Sequence, residues 1–279
     1  MKILPGFLLA LALPLLAHAE EPRKRTAFDD AKWQRGPTNV ALADVAQLKV
    51  PAGFLFADAA DTTRLMEAMQ NPTSGQECGF LAPESFDWFA VFEYDASGYV
   101  KDDEKNNLDA DAILKSIRDA TEESNKLRRS KGWASLNITG WQTKPTYNAT
   151  THNLEWAING ESEGQQVINY QTRILGRGGV MKVILVASPT DLTNAMPQYR
   201  TLLGQFSYKP GSNYAEFKPG DKMAKYGLSA LVVGGAAAVA AKTGIFKWLG
   251  KALIAAAVAV SAFFKKLFGK KKAEPTATG

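Results

Sequence analysis

Between Gly98 and Asp111 the chain concentrates acid: Asp102, Asp103, Glu104, Asp109 and Asp111, with Asn106 and Asn107 among them. Carboxylate oxygens on a loop ahead of a helix are the donors a hard cation such as calcium takes. The spacing is not that of an EF-hand, because the central glycine is missing. The same acids serve equally well as a solvated loop with helix caps. A second candidate is the turn Gly176-Arg-Gly-Gly179 with Arg173 just before it. Backbone N–H groups in such a turn, beside Arg173 and Arg177, can contact an anion. No P-loop pattern and no following helix accompany it, so a hairpin turn fits better.

His152 is the one histidine beyond residue 19. It could pair with Ser85, Asp102 or Asp103 in a hydrolytic site, but a nucleophile needs a base in hydrogen-bond reach. Thr150-Thr-His-Asn153 reads as a turn entering a strand, and no nucleophile elbow is present. Cys78 is the single cysteine, so it makes no internal disulfide and no multi-cysteine metal site. It fits a small apolar side chain. Trp88, Trp133, Trp141 and Trp156 with Tyr94, Tyr99, Tyr147 and Tyr170 could line a ligand groove, though aromatics at strand spacing fit a core better. No catalytic set, metal centre or cofactor motif emerges.

The elements that position these residues follow from periodicity. Val40 to Phe56 holds one or two short strands. Ala57 to Gln70 is predicted as a helix, capped by Asp58 or Asp61, with Leu65, Met66 and Met69 as its apolar stripe. Asn71-Pro72 ends it. In Phe86 to Tyr94, Trp88, Ala90, Phe92 and Tyr94 face one side and Phe89, Val91 and Glu93 the other. Both sides are mostly apolar, so the strand is interior. Leu108 to Arg129 is a long amphipathic helix with Asn107 as its expected cap and Ile113, Leu114, Ile117, Ala120 and Leu127 inward. Four strand-like runs follow, Ser135–Trp141, Asn153–Asn159, Val167–Leu175 and Val180–Ala187, then a helix from Asp191 to Gly204. The expectation is an α+β domain: an antiparallel meander with packed helices.

The net charge of +5 invites a nucleic-acid reading until it is mapped. From Met223 onward there are nine lysines and one acid, whereas residues 20–222 hold 23 basic and 27 acidic side chains. The basic character sits in the tail, among apolar residues, and points to a membrane surface rather than nucleic acid. Lys2, the apolar stretch Ile3 to Leu16 and Ala17-His18-Ala19 form a secretory signal of bacterial type, cut after Ala19.

Near the other end, Tyr226 to Ala241 runs sixteen residues without a charge. Flanked by Lys225 and Lys242, it is just long enough to span a bilayer. Ala230, Gly234 and Ala238 recur every fourth residue, a small-residue face for helix packing in lipid. Ala252 to Phe264 is a second apolar run, which either spans, completing a hydrophobic helical hairpin, or lies at the interface. The layout is a signal peptide (1–19), a flexible lead (20–38), an extracytoplasmic domain (39–222) and a membrane region with a basic tail (223–279).

Several stretches together resemble a bacterial family of uncharacterised membrane-anchored proteins, domain of unknown function 2167. They are Val50-Pro-Ala-Gly-Phe54, Asn71-Pro72, Gly98-Tyr-Val-Lys-Asp-Asp103, Asp109-Ala-Asp-Ala-Ile-Leu114, Gly140-Trp141 with Pro145 and Tyr147, and His152-Asn-Leu-Glu-Trp-Ala157. They continue with Asn169-Tyr170, Arg173-Ile-Leu-Gly-Arg-Gly-Gly-Val180, Tyr214-Ala-Glu-Phe217 and Asp221-Lys-Met-Ala-Lys-Tyr-Gly-Leu228. One departure is Met69-Gln70, where relatives are expected to carry glycine. The resemblance implies a signal peptide, an extracytoplasmic domain and a C-terminal membrane region, and implies no activity.

The expected function is a binding or accessory role in the cell envelope. The protein would sit at the bacterial inner membrane with its main domain in the periplasm, and its partners would be lipid and an envelope or membrane protein. No cofactor is expected. The alternative is a cation-dependent envelope enzyme built on Asp102, Asp103 and His152.

Overall fold

Val180–Ala187 and Glu77–Pro83 contain no exposed residue. Strands apolar on both faces must be covered on both, and that requirement organises the fold. The structure, a computed structural model, describes residues 25–234. Its first elements are α1 (Ala27–Asp30), β1 (Gln34–Arg35), β2 (Thr38–Leu42), β3 (Ala46–Val50), β4 (Phe54–Ala57) and α2 (Ala59–Ala68). Then come β5 (Glu77–Pro83), β6 (Trp88–Asp95), α3 (Ala110–Ser130), β7 (Asn137–Asn148), β8 (Asn153–Ser162), β9 (Gln165–Leu175) and β10 (Val180–Ala187). The last are α4 (Leu192–Leu203), β11 (Phe206–Tyr208), a 3-10 turn at Tyr214–Glu216 and α5 (Leu228–Val233).

Eight strands form one sheet in the order β1-β4-β5-β6-β10-β9-β8-β7, and β11-β3-β2 form a second. All pairings are antiparallel. The meander β7 to β10 is the one expected, and β6 closes onto β10 as an interior strand. The two sides of β6 separate as the alternation predicts. Phe89 and Val91 join Ile184, Val186 and Trp156 under α1, α2, α3 and α5. Trp88, Ala90 and Phe92 join Val183 and Leu185 under the small sheet and α4, where Leu48, Tyr199 and Leu202 meet them.

Several boundaries differ from expectation for local reasons. α3 is capped by Asp109 rather than Asn107, its carboxylate accepting from the amides of Asp111 (3.1 Å) and Ala112 (3.0 Å). β7 runs on through Lys144-Pro145, which an edge strand with register shifts tolerates. β5 has no periodic signature in the sequence, because Gly79 and Pro83 interrupt its apolar run, yet all seven of its residues are buried. The lead expected to be flexible is built into the fold from Arg25: Phe28 is 4% exposed, and Trp33 lies over it. After α2, Gln70 takes φ +59, a conformation glycine adopts most easily.

The largest difference lies at the C-terminal side. The core does not stop at Lys222: Leu228, Leu231 and Val232 are at most 5% exposed and pack with Ile113 and Ile117 of α3. Six residues of the first long apolar run therefore belong to the folded domain. Among the described residues no helix is long and apolar enough to cross a membrane. The expected signal peptide, Ala238, the second apolar run and the helical hairpin lie outside the described residues.

Candidate functional site

Three interior strands that read as apolar each carry a charge on the helix-covered face. Glu93 on β6 stands opposite Lys182 on β10, and Lys182 opposite Arg173 on β9. Asp95 and Gln171 lie two residues along the same strands, and none of the five is more than 9% exposed. Lys182 Nζ sits 3.8 Å from Glu93 and 3.7 Å from Asp95, and donates to Gln76 Oε1 at 2.7 Å. The Tyr226 hydroxyl donates to Asp95 at 2.8 Å, tying the approach to α5 into the cluster. Arg173 differs. Its guanidinium lies 4.7 Å from the centre of the Trp156 ring, and no carboxylate of the described residues comes within 4.0 Å of it. Burial drives the Glu93 carboxyl above its usual range, with Lys182 opposing, and pulls the Arg173 guanidinium down to about 10.

Glu93, Lys182, Arg173, Gln171 and Trp156 border a cavity of about 40 Å³, lined also by Ile117 of α3 and by Val232, Val233 and Gly234. Trp156 Nε1, Gln171 Oε1 and Arg173 Nε are buried without a hydrogen-bond partner among the described residues, although buried polar atoms are rarely left so. The roof is fixed by its entry: Glu104 accepts from the Ser229 amide at 2.7 Å. A Cβ at Gly227 would meet the Glu104 carboxylate, which would have to shift and disturb its bond to the Ser229 amide. Gly234 ends the helix at φ +123.

The acids singled out in the sequence are divided among separate tasks. Asp102 takes Lys105 at 3.5 Å, Asp103 and Asp111 are exposed, Glu104 holds α5 and Asp109 caps α3. Among the described residues no three histidine, cysteine or acidic side chains are grouped to hold a metal ion. The two arginines of the glycine-rich turn also part. Arg173 enters the buried cluster, while Arg177 makes a two-pronged pair with Asp221, both bonds 2.7 Å, and holds that carboxyl down at about 2. Ala230 and Gly234 are half-buried at α5.

His152 does not meet Ser85 or Asp103. Its Nδ1 is 3.1 Å from the Tyr147 hydroxyl, and its ring lies 4.5 Å from Tyr214, which stacks on Tyr99 at 4.4 Å. Burial and the nearby Asp102 push the Tyr147 hydroxyl upward. So Asp102 and His152 do come to one place, on Tyr147. The suggested aromatic groove is split, with Trp88 in one core and Trp156 in the other. Cys78 is buried beside Met181, and its thiol is pushed up to about 12 by burial.

Trp156 is one of the aromatics the sequence offered for a ligand groove, whereas Glu93, Lys182 and Gln171 carried no such expectation. The available signal was one charge in each of two strands otherwise fit for a two-sided core.

Solved structures resemble the chain only distantly. Cyanobacterial PsbP from Synechocystis is 9% identical, with 62% of this chain and 92% of that one covered and a TM-score of 0.36. The Ran-binding protein Mog1p of Saccharomyces cerevisiae is 11% identical over 66% of this chain and all of that one, TM-score 0.35. LpqN of Mycobacterium tuberculosis, involved in cell envelope biogenesis, is 15% identical over 68% of this chain and all of its own, TM-score 0.30. None of these likenesses extends to function. No curated protein matches the chain. A family model described as "Protein of unknown function (DUF2167)" matches residues 34–265.

Proposed function

The chain belongs to the DUF2167 family of proteins of unknown function, and on that premise we propose that it is a cell-envelope protein of binding or accessory type, coupled to the membrane through its apolar C-terminal region. The carrying observation is the seat of α5. The first turns of that apolar region pack on α3 and roof a buried ion cluster, with Tyr226 bonded to Asp95 and Ser229 to Glu104. A simple tether needs no such joint. A domain whose state is transmitted to or from the membrane does. A secretory signal at residues 1–19 supports a periplasmic position for this domain, with the C-terminal region in the inner membrane.

The test is crosslinking in intact cells, affinity purification from detergent and identification of what is retained. A stoichiometric partner that persists when residues 235–279 are replaced by an unrelated anchor supports binding by the folded domain. A partner lost on that replacement supports an accessory role through the membrane region. Recovery of the protein alone sinks both.

A cation-dependent envelope enzyme is the second reading, and the meeting of Asp102 and His152 on Tyr147 favours it. Against it, Asp103 stands apart, and the raised Tyr147 hydroxyl is a poor nucleophile at neutral pH. Hydrolysis of envelope substrates that His152→Ala abolishes, with folding intact, would establish it.

A further inference from the structure

We propose that the cavity beneath α5 is a binding site for a carboxylate group, held against Arg173 and Trp156. This inference concerns the cavity alone and stands whether or not the C-terminal region is in a membrane.

Burying a guanidinium is costly unless it is paired and hydrogen-bonded. Arg173 is 7% exposed, and its one hydrogen bond among the described residues is a 3.4 Å contact to the carbonyl of its neighbour Thr172. Among the described residues its Nε–H has no acceptor, nor has the indole N–H of Trp156, whose ring lies beneath the guanidinium. Both groups line the same cavity, as does the Gln171 amide. Gln171 is the register partner of Trp156. Its unpartnered atom is assigned as oxygen, and rotating the amide turns an NH₂ inward instead. Two N–H donors and a reversible amide around a planar cation are what a planar oxyanion accepts.

Size and charge narrow the class. About 40 Å³ has room for a group of roughly three heavy atoms, as in a carboxylate. A phosphate is larger and more highly charged, and the cavity also carries Glu93. Lys182 is already engaged by Glu93, Asp95 and Gln76. Glu93 faces Lys182, whose ammonium lies 3.8 Å away and offsets its charge. A cation would have to displace Lys182 from its partners and sit beside Arg173.

The same carboxylate chemistry could come from a small free acid or from the end of an acyl chain whose tail leaves past Val232 and Val233. The experiment uses the full chain in detergent. Its thermal midpoint is followed in sodium formate against sodium chloride at equal ionic strength, then in butyrate and octanoate below micelle-forming concentration.

Formate should give a saturable rise, about 3–5 °C at ten times its dissociation constant, that chloride does not. Arg173→Lys keeps the charge, loses the fork and should abolish the rise. Gln171→Glu supplies a carboxylate from the chain itself and should weaken formate at least tenfold, which keeps the test open if Arg173→Lys fails to fold. Affinity falling with chain length identifies a small free acid, and affinity rising with it an acyl end. Equal responses to formate and chloride, or a formate response that survives in both variants, overturns the proposal.

Discussion

The two faces of the eight-stranded sheet are built on different principles. Toward the small sheet and α4, β10 presents Met181, Val183, Leu185 and Ala187, all buried and all apolar. Toward α3 and α5, the same strand presents Ile184 and Val186 and then Lys182, inside a cluster with Glu93, Asp95 and Arg173. The first face carries no buried charge, and its few polar groups include the Tyr199 and Tyr208 hydroxyls, each hydrogen-bonded. The ionic face must satisfy charges as well, and part of it remains unsatisfied at Arg173, Gln171 and Trp156. Stability alone gives no reason to prefer the second arrangement, since buried ion clusters are often no better than apolar replacements. The difference marks the ionic face as the one shaped by something besides folding.

That contrast can be broken experimentally, beginning with the largest effect. Lys182→Met leaves Glu93 and Asp95 buried without their cation, and should cost about 3–5 kcal/mol in denaturant unfolding. A loss under 1 kcal/mol would mean that the ionic face is already solvated, and the contrast would collapse. On the apolar side, Leu185→Ala opens a cavity and should cost about 2–5 kcal/mol at any pH.

The third effect is one of sign. The folded state raises the Glu93 carboxyl above its ordinary value, so native protein holds a proton that unfolded chain releases. Its contribution is therefore complete below the unfolded value and declines as pH rises through the folded one. Glu93→Gln should flatten that decline, and an unchanged pH profile would show the carboxyl to be ordinary. The smallest effect lies outside the cluster. Arg177→Gln should let the Asp221 carboxyl rise from about 2 toward 3.8, followed by NMR titration. Wild-type stability from this depressed carboxyl is present above its unfolded value and is lost as pH falls toward 2.

Much of the fold was legible because period and burial agree. The alternation in β6 separated two cores correctly, and β7 to β10 follow one another in space as they do in sequence. What escaped depends on partners far along the chain. Strand β5 contains Gly79 and Pro83, and its place is set by β4 and β6 rather than by its own pattern. The candidate site escaped for the same reason. Glu93 was visible as a lone acid on an apolar side, but its meeting with Lys182 and Arg173 depends on the register of three strands. The acids of the loop before α3 attracted notice because they crowd in sequence, yet the fold sends Glu104 and Asp109 to two different helices.

The seat of α5 also sets an order of events in biosynthesis. It is the last of the described elements and closes the ionic face. Chains emerge from the ribosome, and from any export channel they enter first, with the N-terminal part leading. The strands bearing Glu93, Arg173 and Lys182 are therefore out, and able to pair, while Leu231 and Val232 are still to come. The compartment is therefore assembled open on that side, and the final turn covers it only after the charged strands have paired.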